Sequence, residues 1–193
     1  MRGRVAFVPA APVLLPEYAG LDDPVAALRA ACLDAATWLA KDNDGMVSVV
    51  AAPPDPANLA RGMTVPPGQR LAEHLMAEVG FHGRLEAADG SAPAGSVLVL
   101  GSGSARRGEK APGHLDERSF GFDEAVLRAL GTGDAAALAG LDEALAAELL
   151  ADGVPGLRAV GRARTDATVV ASTLYADDPF GVQYWVVTWE CAS

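Results

Sequence analysis

Ser96-Val97-Leu98-Val99-Leu100 runs straight into Gly101-Ser102-Gly103-Ser104, and this junction fixes the expected fold. A short apolar run with no polar side predicts a strand buried on both faces, since a half-exposed strand alternates polar residues into the pattern. The glycine and serine stretch at its carboxyl end predicts a turn that offers N–H groups and hydroxyls at the sheet edge, where α/β proteins gather ligands. Working outward, Arg4 to Val8 and Met46 to Ala51 have the same apolar density, the second following the turn signal Asn43-Asp44-Gly45. A helix is predicted from Asp22 or Asp23 to about Lys41, with Pro24 in its first turn and Val25, Leu28, Cys32, Ala36 and Leu39 on one stripe. Leu71, Leu75 and Val79 predict a second helix from about Pro67 to Val79, and the Gly and Pro cluster from Asp89 to Gly95 predicts a loop. Two more helices are predicted over Phe122 to Leu130 and Asp134 to Leu150, the last capped by Asp134 and carrying Leu138, Leu141, Leu145 and Leu149 on one face. Thr168 to Tyr175 and Val182 to Trp189 flank Asp178-Pro179-Phe180-Gly181, which predicts a hairpin around a type I turn, internal to the sheet because both faces are apolar. The alternation predicts an α/β fold: a three-layer sandwich with a mostly parallel central sheet flanked by helices and a C-terminal hairpin, one domain over residues 1–193.

Composition removes several function classes. Half of the residues are hydrophobic and 21% are charged, so the chain has the apolar material to offset its ordering entropy and is no disordered tail. A formal charge of −10 argues against a phosphate-backbone ligand, so nucleic acid is not an expected partner. Cys32 and Cys191 form neither a disulfide framework nor a zinc-type spacing and are expected to be core thiols. Pro9, Pro12 and Pro16 interrupt the apolar stretch that begins at Val5, which suits a first strand and loop better than an export helix. No run approaches the ~20 apolar residues of a membrane span, so no membrane partner is expected and a cytoplasmic location follows.

Chemistry is expected beyond the carboxyl ends of the strands, in Pro9 to Pro16, Ala52 to Asp55 and Gly101 to Asp116. Only the third segment is rich in reactive groups. Ser102 and Ser104, with Arg106, Arg107, Lys110 and His114 beside them, predict a cradle for an anion or carboxylate. The competing expectation is a solvated loop whose charges pair with Glu109, Asp116 and Glu117. Arg106 stands where a dinucleotide fingerprint needs its third glycine, and neither a nucleophile elbow nor a Walker A lysine is present. His74, His82 and His114 fall in different predicted elements, so no metal ligand set and no cofactor is predicted from the residues.

Several segments together resemble one known family. Val5-Ala6-Phe7-Val8-Pro9-Ala10-Ala11-Pro12, Gly101-Ser102-Gly103-Ser104-Ala105-Arg106-Arg107, Phe122-Asp123 with Gly133-Asp134, and Asp178-Pro179-Phe180-Gly181-Val182 look like the class III extradiol ring-cleavage dioxygenase superfamily. The last fits its small subunit-B-like members, related to protocatechuate-type dioxygenase catalytic chains and Memo-like proteins. The resemblance implies a three-layer α/β fold and, in active members, an Fe(II) held by two histidines and a glutamate with a further histidine as acid-base catalyst. This chain departs from that pattern at three places. Ala10 or Ala11 stands where the first histidine is expected, Ala51-Ala52-Pro53-Pro54 where the second is, and Ala105 where the acid-base histidine is. Asp177, Asp178 and Glu190 are only loose matches to the carboxylate.

Methyl groups bind no iron and transfer no proton. The leading expectation is therefore a dioxygenase-like protein that binds a small anionic or aromatic acid through Ser102, Ser104, Arg106, Arg107 and Lys110, without the standard Fe(II) site. One alternative is an enzyme, either a ring-cleavage oxidoreductase with displaced ligands or one in which His114 acts as acid or base and Asp116 orients it. Another is a regulatory or structural subunit that docks a second copy or a partner chain.

Overall fold

Four strands supply the parallel part of one mixed sheet: β1 (Gly3–Val8), β2 (Met46–Val50), β3 (Arg84–Ala87) and β4 (Ser96–Leu100). A hairpin of β5 (Thr168–Asp177) and β6 (Tyr184–Ala192) completes it, and the strand order is β3-β2-β4-β1-β6-β5. The computed structural model describes residues 3–18, 22–41, 43, 45–52, 65, 67–88 and 95–192. Pro53-Pro54 and most of the predicted Asp89 to Gly95 loop lie outside them. β1 pairs in parallel with β4 and antiparallel with β6, so it is zipped to a strand far along the sequence.

The sheet divides two apolar cores because successive side chains point to opposite faces. Helices α1 (Ala26–Ala40) and α2 (Pro67–Glu78) cover Ala6, Val8, Val47, Val49, Leu98 and Leu100. Four helices cover the other face, with Val5, Phe7, Val97, Val99, Trp185 and Trp189 in its core. These are α3 (Arg118–Thr132), α4 (Ala135–Ala139), α5 (Glu143–Glu148) and α6 (Val154–Arg164). Trp189 lies edge-on to Phe7 at 5.1 Å and donates its indole N–H to the Leu130 carbonyl at 2.7 Å, which satisfies its one buried polar atom. The predicted stripe on α1 is the buried one, and Cys32 and Cys191 are core thiols; burial pushes the Cys32 thiol up to about 12.

Several expectations need correction. The single helix predicted over Asp134 to Leu150 is two, because Gly140 closes α4 and the Asp142 carboxylate caps α5 by accepting the Ala144 and Leu145 N–H groups. Asp134 does cap α4, at 2.9 Å from the Ala137 N–H. Only β6 is internal; β5 is an edge strand, with Val170 68% exposed despite its apolar sequence. The hairpin turn is not type I, since Phe180 has φ 71° and the third turn residue of type I requires a negative φ. β3 and α6 had no counterpart among the predicted elements. No helix among the described residues is long and apolar enough to cross a membrane.

Candidate functional site

The carboxyl edge of the sheet gathers four segments: residues 9–16 after β1, 51–52 after β2, 101–107 after β4, and the 178–183 turn between β5 and β6. Arg29 on α1 anchors the first, donating to the Leu14 and Val13 carbonyls at 2.7 and 3.1 Å while Asp23 holds its Nε at 2.8 Å. The third threads between the others. Gln183 bonds to two residues of this loop, the Gly103 N–H reaching the Gln183 carbonyl at 2.8 Å and the Gln183 N–H the Ser104 carbonyl at 2.9 Å. On its far side Ala105 donates to Leu149, and Gly153 donates to the Ser102 carbonyl. Gly101 lies so close to Gly153 that a Cβ there would sit 2.1 Å from the Gly153 Cα, so only glycine fits.

Within this loop two of the expected cradle residues, Ser104 and Arg107, converge on the chain's own Asp123. Asp123, fully buried on α3, accepts the Ser104 N–H at 2.9 Å, the Ser104 hydroxyl at 2.5 Å and Arg107 Nη1 at 3.2 Å. Arg107 also donates Nε to Asp178 at 2.6 Å and lies over the Phe120 ring at 4.6 Å. Burial raises the Asp123 carboxyl above its ordinary range, and the Ser104 and Arg107 donors pull it back only in part. The group joins the Gly103 loop, α3 and the hairpin turn.

The other expected residues stand apart from that network. Ser102 is buried and donates its N–H to Asp152 at 2.7 Å. Arg106 faces Asp116 at 3.9 Å, and Lys110 is exposed. His114 is exposed at φ 58°, and no hydrogen bond or ion pair joins it to Asp116. Instead Arg118 takes Asp116 at 2.7 and 3.0 Å, which holds that carboxyl below the usual range, with Arg106 adding to the effect. The solvated-loop expectation thus describes Asp116, although its main partner is Arg118. Asp123 and Asp152 were missed as site residues. The signal for Asp123 is an aspartate on the buried Ser119, Phe122, Val126, Ala129 stripe of α3, since a charge on a core face demands partners.

Beside Asp152 a cavity of about 630 Å³ opens between Ala52, just past the end of β2, and the α5–α6 segment. Ala52, Ala146, Ala147, Leu150, Val154 and Pro155 form its apolar wall, with Asp152 and Glu143 as its two acids. Desolvation by this wall holds the Asp152 carboxyl above its ordinary value, and the Ser102 N–H only partly offsets it. Folded Asp152 therefore keeps its proton to higher pH than the unfolded chain does, and its contribution to stability falls as pH rises from the ordinary 3.8 through the folded value. Replacing Asp152 with asparagine removes that loss. The unfolding free energy of the variant minus that of the wild type is expected to grow with pH over this window and then level off. Urea titrations between about pH 4 and pH 8 check this, and a flat difference contradicts it.

The iron chemistry of the family resemblance does not fit these residues. Ala10, Ala11, Ala52 and Ala105 stand at the strand ends with no lone pair to offer, and no group of three or more His, Cys, Asp or Glu side chains could hold a metal among the described residues. Compared with known proteins, the chain matches no family model and no curated protein.

Proposed function

We propose that this chain is a class III extradiol-dioxygenase-like protein of the subunit-B type that binds a small, largely apolar molecule and does not cleave rings. Its site in this reading is the cavity between the end of β2 and the α5–α6 segment. The observation that carries the proposal is the cavity itself: about 630 Å³, walled by methyl and methylene groups, at the sheet edge where α/β folds place ligands. That volume is in the range of drug-sized ligands and readily admits a one-ring probe. The sequence motifs support the family, and the alanines at the expected ligand positions support loss of the oxygenase chemistry. Of the ligand expected from sequence, an anionic or aromatic acid, the reading keeps the aromatic part. Arg107 is neutralised by Asp123 and Asp178, Arg106 is turned to Asp116, and the cavity wall carries carboxylates where an anion needs cations.

Benzyl alcohol is the first probe, followed by titration calorimetry and by ligand-observed NMR. The wild type is expected to bind it, and Ala147→Phe to abolish binding, because Ala147 is exposed to the cavity and a ring there covers the apolar wall on which the probe would lie, without entering the core. A matched urea midpoint shows that the variant still folds. Equal binding by both proteins, or none by the wild type, overturns the proposal.

A further inference from the structure

Asp152 is the one acid of this site that the fold leaves without a cation. Every other carboxylate at the carboxyl edge that takes part in an ion pair has an arginine: Asp123 and Asp178 share Arg107, Asp116 has Arg118, and Glu143 on the cavity wall faces Arg158 Nε at 3.0 Å. The Asp152 carboxylate takes the Ser102 N–H on Oδ1 and its own backbone N–H, and no cation pairs with it among the described residues. Its negative charge still reaches inward. Burial first, and then Asp152 and Tyr175, hold the Tyr184 phenol above its ordinary range.

The nearby start of α6 does not turn the site into an anion receptor. The Gly153 N–H is taken by the Ser102 carbonyl, the Val154 N–H points to the Ala151 carbonyl, and Pro155 has none. A carboxylate open to water on one side and shielded by an apolar wall on the other gains from a ligand that supplies a charged or strongly donating group there.

We propose that the cavity selects molecules bearing a primary ammonium group next to an apolar body, the ammonium pairing with Asp152 Oδ2 and the body lying against Ala147, Leu150 and Val154. This rests on the cavity being the binding site. Asp152 is exposed as a residue, but the apolar wall shields one side of its carboxylate; a charge-assisted hydrogen bond there is expected to set a preference of about tenfold over ring contacts that all the probes share.

The test compares benzylamine, benzyl alcohol and benzoate, which share a ring and differ in one polar group, by calorimetry on the full chain at neutral pH and low salt. The wild type is expected to bind benzylamine at least tenfold more tightly than benzyl alcohol, with benzoate weakest and the benzylamine affinity falling as salt is added. In Asp152→Asn the amide oxygen can still accept the Ser102 N–H, and the preference for amine over alcohol is expected to collapse along with its salt dependence. If the wild type binds benzyl alcohol as well as benzylamine, and Ala147→Phe blocks both, the ammonium inference fails while the cavity reading stands. Binding that favours benzoate overturns the inference in the same way. If no probe binds, the cavity reading fails and takes the inference with it. The wild-type preference needs no variant, so the test survives a poorly folded Asp152→Asn.

Discussion

Replacing Asp123 with alanine is expected to lower the unfolding free energy by about 3–5 kcal/mol, a large part of the stability of an ordinary domain. The loss comes from what the carboxylate leaves behind. The Ser104 N–H and hydroxyl, both buried, lose their acceptor, and Arg107 keeps only Asp178. Each stranded donor costs about 1–3 kcal/mol, and a part-buried guanidinium costs more than a neutral group. Because burial holds the Asp123 carboxyl above its usual range, the network stabilises by satisfying donors and not by a net gain from ion pairing. Ser104→Ala deletes a donor and leaves the Asp123 carboxylate its backbone and arginine partners, so its cost should be clearly smaller. Urea unfolding of both variants measures this, and an Asp123→Ala cost near 1 kcal/mol would place the network outside the framework of the fold.

An alanine at Gly101 is expected to cost about 4 kcal/mol or more, or to prevent folding, from the addition of one methyl group. Its Cβ would meet the Gly153 Cα at 2.1 Å, and that atom is backbone, fixed by the bond from the Gly153 N–H to the Ser102 carbonyl. Side chains can rotate away from a clash; two crossing main chains cannot. Gly108→Ala serves as the control, since a methyl there meets nothing within 4 Å, and it is expected to be neutral. Gly156→Ala supplies a graded point, with its Cβ 3.1 and 3.2 Å from the Val50 and Val99 methyl groups, which can yield. Thermal unfolding should rank the three as Gly108, Gly156, Gly101 in order of rising cost, and an unperturbed Gly101→Ala contradicts the close approach.

What was legible in the sequence follows the range of each signal. Strands β1, β2 and β4 are apolar runs buried on both sides, so local pattern alone locates them. Helix α1 shows its stripe for the same reason. The edge position of β5 is only faintly legible: Thr168, Ser172, Thr173 and Asp177 make it more polar than β6, but its Val and Leu residues mask this and the sheet order is what separates the two. The break in the Asp134 to Leu150 segment was present in Gly140 and Asp142 but was outweighed by the four-residue spacing of leucines around it. At the site, Ser102, Ser104 and Arg107 were found by composition. Their partners were not, since Asp123 and Asp178 lie far along the chain and a loop's ion pairing depends on which elements fold against it. Asp152 stands between α5 and α6 with no motif around it, and only the crossing of the Gly101 and Gly153 backbones brings it to the strand ends.

The pairing of β1 with β6 also governs how the molecule can be made. β1 is synthesised well before β6, its partner on one flank, since Gly3 pairs with Cys191 far along the sequence. At ribosomal speeds of about 5–20 residues per second, that flank waits on the order of ten seconds or more for its neighbour. Closure of the sheet is therefore a late event of high contact order, and such long-range pairing folds slowly. During the wait, Val5 and Phe7 lack the Trp189 face that covers them in the finished molecule. Chaperone demand and aggregation during expression should accordingly track the integrity of the final hairpin far more than that of helices α1 and α2.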